Sequence, residues 1–286
     1  MARLLEGKPV ADRIREEIRS EVAGLPQRPV LASIILGQNP GALSYVKSQK
    51  KAAEALGIEY VLHELPEAAG EQGLIELIEG LNADKGTNGI IVQMPLPNHI
   101  NYKKISAFIL PHKDAEGMHP ANIGNIIFGK AKIIPCTPAA VMELLKESGI
   151  ELDGKEAVIV GHSEIVGKPL ALLLLDKFVT VSVCHIGTSR AGKLREHVSR
   201  AEVLIVAVGK AGLIKGDWIK EGAVVIDVGI NKVGEKIVGD VEFETAQARA
   251  SAITPVPGGV GPLTVTMLMR NLLEASKLQR QALFIK

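Results

Sequence analysis

Apolar positions in the first ninety residues switch between two periods. Val10, Ile14, Ile18 and Val22 recur every four residues, which places them on one face and predicts an amphipathic helix. Residues 30–36 are a short apolar run that follows Pro29 and ends at Gly37, the mark of a buried strand. Residues 43–56 predict a helix stopped by Gly57, and residues 59–64 a strand. A helix follows over 72–81, with Leu74, Ile75, Leu77 and Ile78 apolar, then a second buried strand over 89–92. This βαβαβ order calls for a parallel sheet.

Residues 111–138 are rich in Pro, Gly and polar side chains and hold the expected domain boundary. A helix over 139–148 leads into a second alternating region. Its strands are predicted at 157–160, 180–183, 203–206 and 223–228, with a helix at 165–175 between the first two. Residues 254–262 form another Gly/Pro-rich loop, and a long helix from 263 to about 283 is expected to pack back onto the first domain. The expected fold class is therefore α/β in two domains. Residues 1–138 with 265–286 form the first, and a Rossmann-like domain spans 139–264.

Composition narrows the function. With 286 residues and 47% hydrophobic side chains, the chain can bury one large core or two ordinary ones. Lys+Arg is 33 and Asp+Glu is 32, a net charge of +1, so nothing electrostatic points to nucleic acid or an anionic membrane as partner. Aromatic residues are 3%, too few for base-stacking platforms. Cys136 and Cys184 are isolated thiols without CxxC spacing, which suits a reducing compartment. No apolar run approaches the ~20 residues of a membrane span, and the N-terminus lacks the apolar core of a signal peptide. A cytoplasmic enzyme is expected.

The strand at 157–160 runs into Gly161-His162-Ser163-Glu164-Ile165-Val166-Gly167-Lys168-Pro169 and then an apolar helix. Strand, glycine turn and helix start form a geometry that holds a pyrophosphate on backbone N–H groups and the helix dipole. Gly161 would allow the tight turn and Gly167 the close approach of helix to strand. The pattern is not GxGxxG, so this loop alone reads equally as an ordinary strand–helix turn. Two later loops add weight. Val206-Ala207-Val208-Gly209-Lys210 and Asp227-Val228-Gly229-Ile230-Asn231 each close a predicted strand, and glycine there would let a flat ring approach the backbone.

These loops, with Cys184-His185 between them, occur in the order seen in the methylenetetrahydrofolate dehydrogenase/cyclohydrolases, the FolD family. So do Ser44-Tyr45-Val46, GIIVQMPLP (89–97), KDAEGMHPANIG (113–124), PCTP (135–138), VGDVEF (238–243) and TPVPGGVGPLT (254–264). The chain resembles that family over nearly its whole length. The resemblance implies two α/β domains flanking a cleft, the first binding a tetrahydrofolate substrate and the second NAD or NADP. It implies a homodimer that oxidises 5,10-methylene- to 5,10-methenyl-tetrahydrofolate by hydride transfer, and in most members hydrolyses the product to 10-formyl-tetrahydrofolate. The implied cofactor residues are Gly161, His162, Ser163, Ile165, Gly167, Pro169, His185, Ile186, Val208, Gly209, Asp227, Gly229 and Ile230. Tyr45, Gln93, Glu116, Pro257, Gly258 and Gly259 are the implied substrate residues, and Tyr45, Gln49, Gln93 and Glu116 the implied catalytic set.

Two of these positions depart from the family pattern. Gln49 stands where the family has its catalytic lysine, four residues after the substrate-contacting tyrosine, Tyr45. A tuned amine can move protons during water attack; a glutamine amide near neutral pH can only donate and accept hydrogen bonds. Lys47 and Lys50 point to other helix faces and read as solvated. Gln93, which orients the lysine in the family, ends a predicted strand. Glu116 stands where aspartate usually binds the pterin, and its extra methylene can shift the ring; about 1 Å of misplacement can cost roughly 100-fold in rate. Asp114 reads as readily as a surface loop charge. Hydride departure is driven by the folate nitrogen lone pair and needs no protein base. The expectation is a dehydrogenase with weak or absent cyclohydrolase activity. A fully bifunctional enzyme, a dehydrogenase of another small substrate and a non-catalytic folate- or nucleotide-binding homologue remain as alternatives.

Members of the family that prefer NADP commonly carry arginine where His162 stands, and polar or basic residues where Ile186 and Gly187 follow the Cys-His pair. A 2′-phosphate wants cationic, bidentate partners, so NAD is favoured, with Arg190 and Lys193 near enough in sequence to reach back. No acidic residue closes the strand at 180–183 to grip a ribose hydroxyl. No metal is expected, since His63, His99, His112, His119 and His197 lack ligand spacing. Cys136, Cys184 and Asp240 read as packing and turn-capping residues.

Overall fold

The chain begins with a two-residue strand, β1 (Arg3–Leu4), and helix α1 (Gly7–Ala23), in a computed structural model that describes residues 2–284. Then follow β2 (Val30–Leu36), α2 (Pro40–Ala55), β3 (Glu59–Leu65), α3 (Gly70–Ala83), β4 (Gly89–Val92), α4 (Tyr102–Ser106) and α5 (Pro120–Ile127). The next stretch holds α6 (Cys136–Ser148), β5 (Glu156–Val160), α7 (Gly167–Leu175), β6 (Thr180–Cys184), α8 (Ile186–Arg190), α9 (Leu194–Arg200) and β7 (Val203–Val206). It closes with β8 (Val224–Asp227), β9 (Asn231–Val233), β10 (Lys236–Val238), α10 (Phe243–Gln247), β11 (Ala252–Ile253) and α11 (Val260–Phe284). Among the described residues, no helix is long and apolar enough to cross a membrane.

The chain divides into two units, and the divisions fall inside α1, α6 and α11. One unit runs from Arg13 to Cys136 and resumes at Val265. Its sheet has three parallel strands in the order β3-β2-β4. Central β2 is apolar save for Ser33 and is buried at every residue after Val30, as a parallel strand between helix layers must be. Ala32, Ile34 and Leu36 face Leu74 and Ile78 of α3, while Ile35 meets Ala42 and Val46 of α2. Full burial of each such side chain stabilises by about 1.5–3 kcal/mol. Helix α2 starts one turn before the predicted position, because Asn39 caps it by accepting the Ala42 N–H and Pro40 opens its first turn.

The other unit holds the described residues up to Asp12 and Thr137–Thr264. Its six-stranded sheet, in the order β1-β11-β8-β7-β5-β6, is parallel throughout. Residues 2–12 pack in this compact unit, where β1 pairs with β11 and the Gly7 N–H donates to the Gly258 carbonyl at 2.8 Å. Two residues of strand are too few to show a period in the sequence. Helix α7 begins at Gly167 rather than residue 165, since residues 163–166 form a turn in which the Ser163 hydroxyl accepts the Val166 N–H.

Candidate active site

In the six-stranded unit the carboxyl ends of β5, β6 and β7 open on a cavity of about 400 Å³. Gly161, His162, Ser163, His185, Ile186 and Val208, all named from the sequence, line it together with Ser189, Lys210 and apolar side chains. Gly161 has φ +128°, and a Cβ there would lie 2.3 Å from the Ala207 carbonyl oxygen. Only glycine fits both that conformation and that space. Gly167 is equally confined, its missing Cβ pointing 2.1 Å from the Gly161 carbonyl oxygen, so helix and strand close on each other as predicted. The His162 and His185 rings are 5.2 Å apart. A dinucleotide fits this cradle: a bare backbone turn for a pyrophosphate, and apolar walls at Leu194 and Leu213 for a flat ring.

The next two loops are held by buried carboxylates. Asp227 ends β8 but turns inward: its carboxylate accepts the N–H groups of Gly229 at 2.9 Å, Asp240 at 3.0 Å and Val241 at 2.8 Å. Burial pushes its acid up to about 6, against those donors. Asp240, fully buried, accepts the backbone N–H groups of Val208, Gly209 and Lys210 at 2.7–2.9 Å and the Asn231 amide at 2.8 Å. A Cβ on Gly229 would sit 2.3 Å from the Asp240 carboxyl carbon. Gly229 therefore makes room for the Asp240 carboxylate, and Asp227 and Asp240 tie the backbone of these loops together. Ile165, Gly167, Pro169, Gly209 and Ile230 are also outside the cavity lining; Pro169 is buried in the first turn of α7, and Ile165 and Ile230 are exposed. Pro257, Gly258 and Gly259 lie just before α11, with Gly259 pressed against Thr254 and the Gly258 carbonyl receiving the start of α1.

In the three-stranded unit, α2 buries Ala42, Val46, Gln49 and Ala53 and leaves Tyr45 half-exposed. Lys47 and Lys50 are exposed, as read from the sequence. Gln49 is 5% exposed, and its Oε1 accepts from Gln93 Nε2 at 2.7 Å and from the Tyr60 hydroxyl at 2.9 Å. Gln93 follows β4, where its backbone N–H still pairs with the Ile34 carbonyl, and its Nε2 also donates to Ser33 Oγ at 3.0 Å. Ser33, Gln93, Gln49 and Tyr60 form one connected network. Burial pushes the Tyr60 phenol up to about 12.

The loop after α4 runs beside β4 through the Ile90–Asp114 bridge. Lys113 is buried and donates to the carbonyls of Leu81, Asn82 and Asp84, closing the end of α3. Asp114 accepts the N–H groups of Gly117 and His119 and the Asn122 amide, so it organises the loop. Gly117, at φ +79°, lies against the Ile134–Pro135 backbone. Asn271 of α11 donates to the carbonyls of Ala115 at 3.0 Å and Ile134 at 2.8 Å. On this fixed backbone Glu116 is half-buried, with Oε2 accepting from the Tyr102 hydroxyl at 2.6 Å. Burial pushes the Glu116 acid up to about 7; Asp114 adds to this and the Tyr102 hydrogen bond opposes it. Tyr60 and Tyr102 were not singled out from the sequence, and neither lies in a motif. With three tyrosines in the chain, their rarity was the one available signal.

A family model described as "Tetrahydrofolate dehydrogenase/cyclohydrolase, catalytic domain" matches residues 5–116, and one described as "Tetrahydrofolate dehydrogenase/cyclohydrolase, NAD(P)-binding domain" matches residues 135–280. The bifunctional protein FolD of Acetivibrio thermocellus is 52% identical, over 97% of this chain and 98% of its own length. The structure of the bifunctional FolD enzyme of Campylobacter jejuni superposes with TM-score 0.94 at 44% identity, covering 97% of this chain and 99% of that one. That of Trypanosoma brucei, complexed with NADP and an inhibitor, has TM-score 0.92 at 39% identity and covers 98% of both chains.

Proposed function

The chain belongs to the tetrahydrofolate dehydrogenase/cyclohydrolase family, and we propose that it oxidises 5,10-methylene-tetrahydrofolate while hydrolysing the methenyl product weakly or not at all. Its fold is the two-domain α/β fold of that family, and its second half is an NAD(P)-binding domain. The observation that carries the finer reading is Gln49, buried with its amide oxygen engaged by Gln93 and Tyr60.

A bound NAD or NADP would supply the hydride acceptor. Gly161, Ser163 and the turn before α7 would hold its pyrophosphate on backbone N–H groups, while Asp240 keeps the neighbouring loop in shape. Tyr45 flanks the folate ring system, and the Glu116 carboxylate receives the pterin amide and amino hydrogens in a bidentate contact. Gln93 and Gln49 orient the one-carbon bridge by hydrogen bonds. Oxidation asks no more of these residues, because the folate nitrogen supplies the electron push. Hydrolysis asks for a group that takes a proton from water. Ser33, Gln49 and Gln93 cannot do so near neutral pH, and a phenol held near 12 is no base until it ionises.

Purified enzyme assayed for both half-reactions tests this. Dehydrogenation is expected without matching hydrolysis, and Gln49→Lys is expected to raise hydrolysis by about 100-fold, the scale of general acid–base catalysis. Rapid methenyl hydrolysis by the unaltered enzyme would sink the reading. NAD is the favoured cofactor: Ile186 is 62% exposed at the cavity, and no arginine is among the lining residues. Lys210, the lining residue that ends the Val206–Lys210 loop, is the group that would blunt that preference. A cytoplasmic homodimer completes the reading, supported by family membership and by two buried free thiols.

A further inference from the structure

We propose that Tyr102 is a positioning residue for folate recognition, aiming the Glu116 carboxylate at the pterin. The proposal rests on the reading of Glu116 as the pterin acceptor. The backbone beneath Glu116 is held on three sides: by the bridge to β4, by Asn271 on the Ala115 carbonyl, and by Gly117 against Ile134. The side chain is not fixed by that backbone. A glutamate has one more rotatable bond than an aspartate, and a bidentate contact needs both carboxylate oxygens in one plane with the ligand. Tyr102 supplies the missing constraint. Its own position is fixed, since Asn101 caps α4 through the Lys103 N–H, and its hydroxyl donates to Oε2 at 2.6 Å. That leaves the second lone pair of Oε2 and all of Oε1 for the pterin hydrogens.

Charge makes the same contact matter for pH. The groups facing Glu116 are Tyr102 from α4, Asp114 on its own loop and Cys136 at the start of α6, where Arg270 of α11 also acts on the thiol. Burial and Asp114 favour the protonated acid; the Tyr102 hydrogen bond favours the carboxylate. Removing the hydroxyl therefore raises the Glu116 pKa and protonates the acceptor at higher pH.

The test is steady-state kinetics of methylene-tetrahydrofolate oxidation from about pH 6 to about pH 9. Tyr102→Phe keeps the ring and is expected to raise the folate KM roughly fivefold to tenfold at the acid end, the scale of one net hydrogen bond. The acid limb of kcat/KM should move up by about one pH unit, with the KM for NAD(P) unchanged. In a Glu116→Asp background the shorter carboxylate no longer reaches the hydroxyl, so Tyr102→Phe should change the folate KM by less than about twofold. If Glu116→Gln raises the folate KM but Tyr102→Phe moves neither KM nor the acid limb, the positioning role is overturned and the Glu116 reading stands. If Glu116→Gln leaves the folate KM unchanged, the Glu116 reading itself fails and takes the proposal with it.

Discussion

Beyond β7 and β8 of the six-stranded sheet, polar side chains tie backbone to backbone. Asp240 and Asp227 between them accept from Val208, Gly209, Lys210, Gly229, Asp240 and Val241 N–H groups. Beyond β2 and β4 of the three-stranded sheet, polar side chains tie to one another: Ser33 to Gln93, Gln93 to Gln49, Gln49 to Tyr60. Both arrangements leave no buried side-chain polar atom without a partner among the described residues, yet they respond differently to substitution. A backbone N–H cannot be replaced, so a carboxylate that satisfies several of them is fixed in kind. A side chain bonded to a side chain can be exchanged for any group that offers the right donor or acceptor. Polar groups are therefore adjustable in the three-stranded unit and rigid in the six-stranded one, and Gln49 stands in the adjustable unit.

The strongest challenge to that contrast is Asp240→Ala. It strands backbone N–H groups of three consecutive residues, so a loss of about 3–5 kcal/mol in denaturant unfolding is expected, together with weakened NAD(P) binding by titration. A melt like that of the unaltered protein would remove the distinction between the halves. A middle-sized effect comes from Glu116. Its folded pKa of about 7 lies above the usual carboxylate range, so the folded state keeps a proton that the unfolded chain has already lost. The sign follows: Glu116 weakens the fold progressively as pH rises from about 4 to about 7, and the effect is level above that. Glu116→Gln should be more stable than the parent by up to ~2 kcal/mol at pH 8 after solvent screening, and by almost nothing at pH 4. Equal stability differences at both pH values would contradict the burial argument. The smallest effect sharpens the comparison from the other side. Tyr60→Phe deletes one donor, but Gln93 still donates to Gln49, so a cost of about 1 kcal/mol or less is expected in the same unfolding assay.

Much of this was legible in the sequence where one apolar period ran long enough. The β2 and β4 runs and the helices α1, α2, α3 and α11 were legible because burial imposes a pattern over many residues. Helices α4, α8 and α9 and the β9–β10 hairpin were not, since they span three to seven residues each and carry less than two turns of signal. The tight turn at Gly161 was legible, because a glycine directly after a buried strand marks it. The role of Gly229 was not, because it depends on Asp240, which meets it through folding rather than spacing. The same holds for Tyr60 and Tyr102. Each matters for the one hydroxyl it delivers, and nothing in the neighbouring residues marks where that hydroxyl will arrive.

The unit that carries Gln93 is built from two pieces of chain, and α11 supplies the second: Asn271 on the Ala115 carbonyl, Leu272 filling the space over Gly89, and Gln279 on the carbonyls of Asn88 and His112. A ribosome delivers those side chains last. The six-stranded sheet has every strand once Ile253 has left the exit tunnel, whereas the three-stranded unit waits for about twenty-five more residues before its wall is complete. A nascent chain halted within α11 would thus carry a six-stranded sheet with all its strands and a three-stranded unit still short of its last helix, and a chaperone would meet the latter.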